Sequence, residues 1–252
     1  MLNRITHGPA TARPPLLIAH GLFGSARNWG VIAKRLSDER QVVAVDMRNH
    51  GDSPWTTSHR YEDMADDLAE VIADIGGTAD VVGHSMGGKA AMMLALRHPQ
   101  TVRRLTVADI APVAYGHSQI QYIDAMRAVD LTQVKRRSDA AIQLEALGVD
   151  KALQSFFTQS LDVTGQRWQL NLETLAAEMP QIMGFPQTDA QWPGPVLFLS
   201  GADSDYVRPE HRPIIRNLFP RARFAKLPSA GHWLHADKPQ EFTATLRAYL
   251  NA

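Results

Sequence analysis

Cysteine is absent from all 252 residues, which removes disulfides, thiolate nucleophiles and cysteine-bound metals together. A surplus of either charge is missing too. With 26 basic residues against 26 acidic ones, no electrostatic footprint for nucleic acid or an anionic membrane is expected. The only basic cluster, Lys135-Arg136-Arg137, reads as a solvated helix face. No segment is long and apolar enough to span a bilayer, and Met1 to Pro9 holds no apolar core of signal-peptide length. A cytoplasmic protein with neither a nucleic-acid nor a membrane partner is the expectation. Internal repeats and low-complexity tracts are also lacking.

What is present is an alternation. Short apolar runs bounded by turn signals recur at Leu16 to Ala19, Val42 to Val45, Ala79 to Val82, Leu105 to Ala108, Val196 to Leu199 and Arg223 to Leu227. They read as strands, mostly buried on both faces. Helical patterns separate them: Asn28 to Leu36, Tyr61 to Ile75, Gly88 to Arg97, Pro209 to Leu218 and Pro239 to Leu250. Strand followed by helix, repeated, predicts an α/β fold with a mostly parallel sheet covered on both faces. The alternation stops once. Residues 113–192 show no convincing strand but carry amphipathic stretches at Ile120 to Val129, Ser138 to Leu147, Lys151 to Leu161 and Leu172 to Met179. The expected organisation is a core of residues 1–112 and 193–252 with a helical cap, 113–192, inserted between two strands and lying over the strand ends.

Gly83-His84-Ser85-Met86-Gly87 lies between a strand-like and a helix-like run. Gly-x-Ser-x-Gly in that setting is a nucleophile elbow, a sharp turn that exposes the serine hydroxyl at the sheet edge and leaves no room for side chains at the glycines. A serine hydroxyl needs a base. Of ten histidines, His232 is best placed, directly after the last expected strand and late in the chain, with His235 as its rival. His20 and His84 sit beside turn glycines and read equally well as structural. His50, in Asp46-Met47-Arg48-Asn49-His50-Gly51-Asp52-Ser53, lacks a metal-ligand spacing, and neither metal nor cofactor is expected.

The acid that orients the imidazole has several candidates. Asp109 follows a strand next to the nucleophile strand, whereas Asp203 and Asp205 flank Ser204 after a later one. Asp109 is the choice, Asp205 and Asp203 are the alternatives, and Ser204 is an auxiliary polar group. The oxyanion of acyl transfer needs fixed donors, usually backbone amides. His20-Gly21-Leu22-Phe23-Gly24 follows an early strand, so the Leu22 and Met86 amides form the expected pair, with Phe23 as a one-residue register alternative.

His20-Gly21, Asp46-x-Arg48-x-x-Gly51-x-Ser53, Gly83 to Lys89 and Gly231-His232-Trp233 together resemble the signposts of the α/β-hydrolase superfamily, over nearly the whole chain. Gly21 to Ser25, Asp46 to Gly51, Asp109 to Val113 and Ser204-x-Tyr206-Val207 are similar to bacterial YbfF-type esterases and their mitochondrial relatives. That resemblance implies a serine esterase or thioesterase with a helical cap, with Ser85 as nucleophile, His232 as base, Asp109 as acid and Ser204 near the histidine. Asp203 and Asp205 depart from the family's pattern and keep the acid open. The expected reaction is hydrolysis of small acyl esters or thioesters through an acyl-enzyme. Carbon–carbon hydrolases and perhydrolases use the same triad, and a non-catalytic sensor on the same fold is the alternative from another class. Tyr122, Met126, Phe156, Phe157, Trp168 and Met183 are candidates to line an acyl pocket or to knit the cap to the body.

Overall fold

A strand made only of apolar residues has no face to offer to water, so it must lie inside a sheet covered on both sides. In the computed structural model, which describes residues 1–252, β2 (Leu16–Ala19), β3 (Val42–Val45) and β4 (Ala79–His84) are buried at every position. With β1 (Arg4–His7), β5 (Val102–Ala108), β8 (Val196–Gly201) and β9 (Ala222–Leu227) they form one seven-stranded sheet in the order β1-β3-β2-β4-β5-β8-β9. Only β1 runs antiparallel, against β3. No apolar run marks this strand in the sequence, because Arg4-Ile5-Thr6-His7 is half polar, and its edge position explains why none is needed.

Alternate side chains of each strand feed two cores. Leu17, Val43 and Val81 join one cluster with α2 (Tyr61–Asp74) and α3 (Met86–Arg97), whereas Leu16, Val42 and Val82 join the other with α1 (Gly30–Leu36) and α11 (Pro239–Asn251). Helix α2 shows why these segments are helical: Tyr61, Met64, Ala65, Leu68, Val71 and Ile72 recur at three- and four-residue spacing and make one buried stripe. It ends where Gly77, at φ 82°, returns its amide to the Ile72 carbonyl at 2.8 Å.

Between β5 and β8 run α4 (Ile120–Ala128), α5 (Arg137–Ala146), α6 (Lys151–Phe157), a two-residue pair β6 (Leu161–Asp162) and β7 (Arg167–Trp168), then α7 (Leu172–Ala177) and α8 (Met179–Met183). The miniature hairpin is the one strand pairing in a stretch expected to have none; two residues a side are too few for any periodicity to register. Lys135-Arg136-Arg137 does not make a continuous helix face. Lys135 and Arg136 precede α5, and Arg137 turns its guanidinium to the Thr158 carbonyl at 2.8 Å. The remaining helices are α9 (Arg212–Leu218) and the short α10 (Leu234–Asp237). No helix is long and apolar enough to cross a membrane.

The order of strands positions the site. Chain progression turns outward in opposite directions from β2, to β3 on one side and to β4 on the other, and a crevice opens at the carboxyl ends there. β4 therefore lies between the loop that follows β2 and the loop that follows β5, with Gly83 beside Ala19 and His84 beside Ala108.

Candidate active site

The turn from β4 into α3 is cramped by construction. A Cβ on Gly83 would collide with the Gly87 carbonyl, and one on Gly87 with the carbonyls of Ala19 and His20. Ser85 at the apex adopts φ 52°, a left-handed conformation that a side chain takes up only where the surroundings impose it. Its hydroxyl lies 3.0 Å from Nε2 of His232. On the far side of the ring, Nδ1 of His232 lies 2.8 Å from Oδ2 of Asp109, which is fully buried. A carboxylate only accepts, so Nδ1 carries the proton and Nε2 is left with a lone pair facing the serine.

Asp109 is fixed from two more sides: the Gly201 amide donates to Oδ1 at 3.1 Å, and the Ser204 hydroxyl donates to Oδ2 at 2.5 Å. Ser204 thus reaches the carboxylate and makes no bond to the imidazole. Asp203 and Asp205 are exposed and bond to no part of His232. The Tyr206 ring stacks on His232 at 4.0 Å between centroids and 20° between planes. Nε2 of His84 donates to the His232 carbonyl at 2.8 Å. His235, the rival base, is buried and stacked on Trp29 at 4.2 Å.

The loop after β2 comes close because Gly21 has no side chain; a Cβ there would already stand 3.2 Å from that of Ser85. The Leu22 and Met86 amides have no acceptor within the protein. The Phe23 amide is already committed, donating to Nε2 of His50 at 3.1 Å. Of the three amides expected near the serine, only those of Leu22 and Met86 are therefore left without a protein acceptor. His50 spends its other nitrogen on the Arg48 carbonyl at 2.9 Å, so both ring nitrogens are committed to backbone groups.

A pocket of about 280 Å³ opens beside Ser85. Of the six apolar candidates, Tyr122, Phe156, Phe157 and Met183 line it, whereas Met126 and Trp168 bond to each other away from it, indole to carbonyl at 2.8 Å. Lys89, one turn beyond Ser85, is buried in the same wall. Burial pushes its pKa down to about 7, and its ammonium donates to the carbonyls of Met183 and Gly184 at the end of α8. Its signal in the sequence was plain, a single charge in the otherwise apolar run Gly88 to Leu96. Tyr206, which stands in the Ser204-x-Tyr206-Val207 motif, accepts at its carbonyl from the Tyr115 hydroxyl at 2.8 Å; Tyr115 gave no signal in the sequence, because loops bring the two together.

Among the buried histidines, burial lowers the pKa of His20, His50, His59, His84 and His235 below 6.5, to about 3 for His59 and His235. Below pH 6.5 the unfolded chain binds protons that the folded one refuses, so stability falls as pH drops from 6.5 toward 3. Each histidine adds up to about 1.4 kcal/mol per pH unit to the slope. Urea denaturation across that range is expected to show the slope, and His235→Phe to reduce it; a pH-independent midpoint would refute this.

Nearly the whole chain is similar to known proteins of one fold family. The family described as alpha/beta hydrolase fold matches residues 14–239. The chain is 42% identical to the sn-1-specific diacylglycerol lipase ABHD11 of Mus musculus, over 96% of this chain and 82% of that protein. It is 37% identical to esterase YbfF of Escherichia coli, over 94% and 93%. Among solved structures, a marine microorganism esterase superposes with a TM-score of 0.91 at 35% identity, covering 98% of each chain.

Proposed function

The chain belongs to the α/β-hydrolase family and is a hydrolase of ester bonds; from that premise we propose that it is a serine carboxylesterase, acting on small acyl esters or thioesters through a covalent acyl-enzyme. The observation that carries this reading is the continuous line from Ser85 Oγ through both nitrogens of His232 to Asp109, at 3.0 and 2.8 Å. Ser85 attacks the acyl carbon as His232 Nε2 takes its proton, and Asp109 steadies the resulting imidazolium. The Leu22 and Met86 amides receive the negative charge that develops on the carbonyl oxygen. His232 then gives its proton to the departing alcohol or thiol, and the carbon–oxygen or carbon–sulfur bond breaks. Water, deprotonated by the same nitrogen, releases the acid and restores Ser85.

Residues 113–192 serve as a cap over the core formed by 1–112 and 193–252. Phe156 and Phe157 of α6 and Met183 of α8 line the pocket, which supports a share for this segment in selecting the acyl group. At about 280 Å³ the pocket falls just below the usual range of about 300–1,000 Å³, which favours short acyl chains. A fluorophosphonate probe is expected to label the wild type at Ser85 and to leave Ser85→Ala unlabelled, as read by peptide mass spectrometry. An inert wild-type protein, still folded, would favour a sensor over an enzyme. A panel of acyl esters, acyl-coenzyme A thioesters and diacylglycerols of graded chain length then fixes the substrate class.

A further inference from the structure

Phe23 is held more firmly than a strand-to-helix turn requires. It adopts φ 64°, a conformation rare for a bulky residue, and three contacts keep it there. Its amide donates to His50 Nε2 at 3.1 Å, its carbonyl accepts from Ser160 Oγ at 3.1 Å, and its ring meets Phe157 edge to face at 5.4 Å. Ser160 and Phe157 belong to the segment between β5 and β8, so that segment and the core grip one residue from two sides.

His50 is itself locked. Its Nδ1 proton goes to the Arg48 carbonyl, which leaves the lone pair of Nε2 directed at Phe23. The loop that carries it is organised by Asp46, whose carboxylate accepts from the Ala26 amide at 2.7 Å and the Asp52 amide at 3.0 Å. Gly51, at φ 57°, lies so close to that carboxylate that a Cβ would strike it. On the other side of the oxyanion loop, His20 Nδ1 donates to the Gly21 carbonyl at 2.8 Å. That carbonyl and the Leu22 N–H belong to one planar peptide unit, so fixing the oxygen aims the hydrogen the opposite way.

We propose that His50 is a positioning residue for acyl transfer: by anchoring the Phe23 amide it holds the preceding Leu22 amide in the direction that meets the oxyanion, and keeps the Phe23 amide out of that role. This rests on the esterase reading of Ser85 and gives the Asp46 to Ser53 motif a part in the chemistry. The reason is preorganisation. Losing one oxyanion donor costs about 10²–10³ in kcat, and a misplacement of about 1 Å can cost about 10²-fold. A substrate in its ground state leans on the pocket wall far more than on these donors, so KM is little affected.

Two isosteres test the assignment. His50→Gln keeps an acceptor where Nε2 stands, while His50→Asn keeps a polar group only at the Nδ1 position. On a short-chain p-nitrophenyl ester, His50→Asn is expected to lower kcat by about 10–100-fold and to leave KM within about twofold. Affinity for a trifluoromethyl ketone, which forms the tetrahedral adduct on Ser85, is expected to fall by the same factor as kcat. His50→Gln is expected to recover most of both. Ser160→Ala releases the Phe23 carbonyl without opening the buried loop; its expected result is a several-fold loss of kcat at constant KM, and it serves the test if His50→Asn does not fold. Wild-type kcat and ketone affinity in folded His50→Asn, or in Ser160→Ala where it is the variant available, would overturn the proposal, as would equal impairment of the Asn and Gln variants. Ser85→Ala in the same assay separates the two readings: if it is inactive while His50→Asn is unimpaired, only the role of His50 falls.

Discussion

Ser85→Ala is expected to lower kcat/KM by at least about 10⁴-fold while leaving the protein folded. Alanine keeps the Cβ that already occupies the strained turn at φ 52°, so the substitution removes one oxygen and changes no packing. Gly83 and Gly87 still allow strand, turn and helix to close on each other, and His232 keeps its bond to Asp109. Without Oγ there is no atom for His232 to activate and no acyl-enzyme. The residual rate comes from water attack assisted by the oxyanion donors alone. Substrate affinity, set by the pocket wall, is expected to change little. Single-turnover kinetics on a chromogenic ester, with the melting temperature as a control for folding, make the test; retention of more than a few per cent of activity would remove the mechanism.

Asp109→Asn is expected to cost about 10⁴-fold in kcat without loss of the fold. The carboxylate accepts three times, from His232 Nδ1, the Gly201 amide and the Ser204 hydroxyl. An asparagine keeps one carbonyl oxygen, which the Gly201 amide can still use, but turns an N–H toward the imidazole. Nδ1 must then accept, so the ring proton moves to Nε2 and faces Ser85 as a donor. The geometry survives with the proton on the wrong nitrogen. Asp203→Asn and Asp205→Asn supply the contrast, because both aspartates are exposed and neither touches the imidazole; each is expected to keep kcat within about twofold, as surface substitutions away from a site usually do. A large loss at either position with Asp109→Asn active would transfer the acid's role.

The Asp109 question shows how far linear order carries. All three candidate acids follow strands that come after the nucleophile in the chain, and all three sit at carboxyl ends of the sheet. Choosing between them takes the path of the loop after β8, which turns Asp203 and Asp205 outward and brings only Ser204 in, onto the Asp109 carboxylate. The oxyanion register had the same character. Leu22 and Phe23 are adjacent residues on one loop, and what distinguishes them is an imidazole 27 positions further on that accepts from Phe23 alone.

The amino-acid sequence by itself determined the parallel sheet, the helices over both faces, the elbow at Ser85 and the late histidine, because each is dictated by contacts between neighbours in the chain: apolar runs, helical spacing, glycines where a turn admits no side chain. Tertiary structure alone decided which carboxylate meets His232, which of the Leu22 and Phe23 amides is left without a partner, why Tyr206 lies flat on the imidazole and how Lys89 comes to hold the end of α8. The first three join loops that follow different strands, and the last joins α3 to the end of α8. Their geometry depends on how the sheet orders β3, β2, β4, β5, β8 and β9 side by side, and no periodicity along the chain encodes a hydrogen bond formed across that distance.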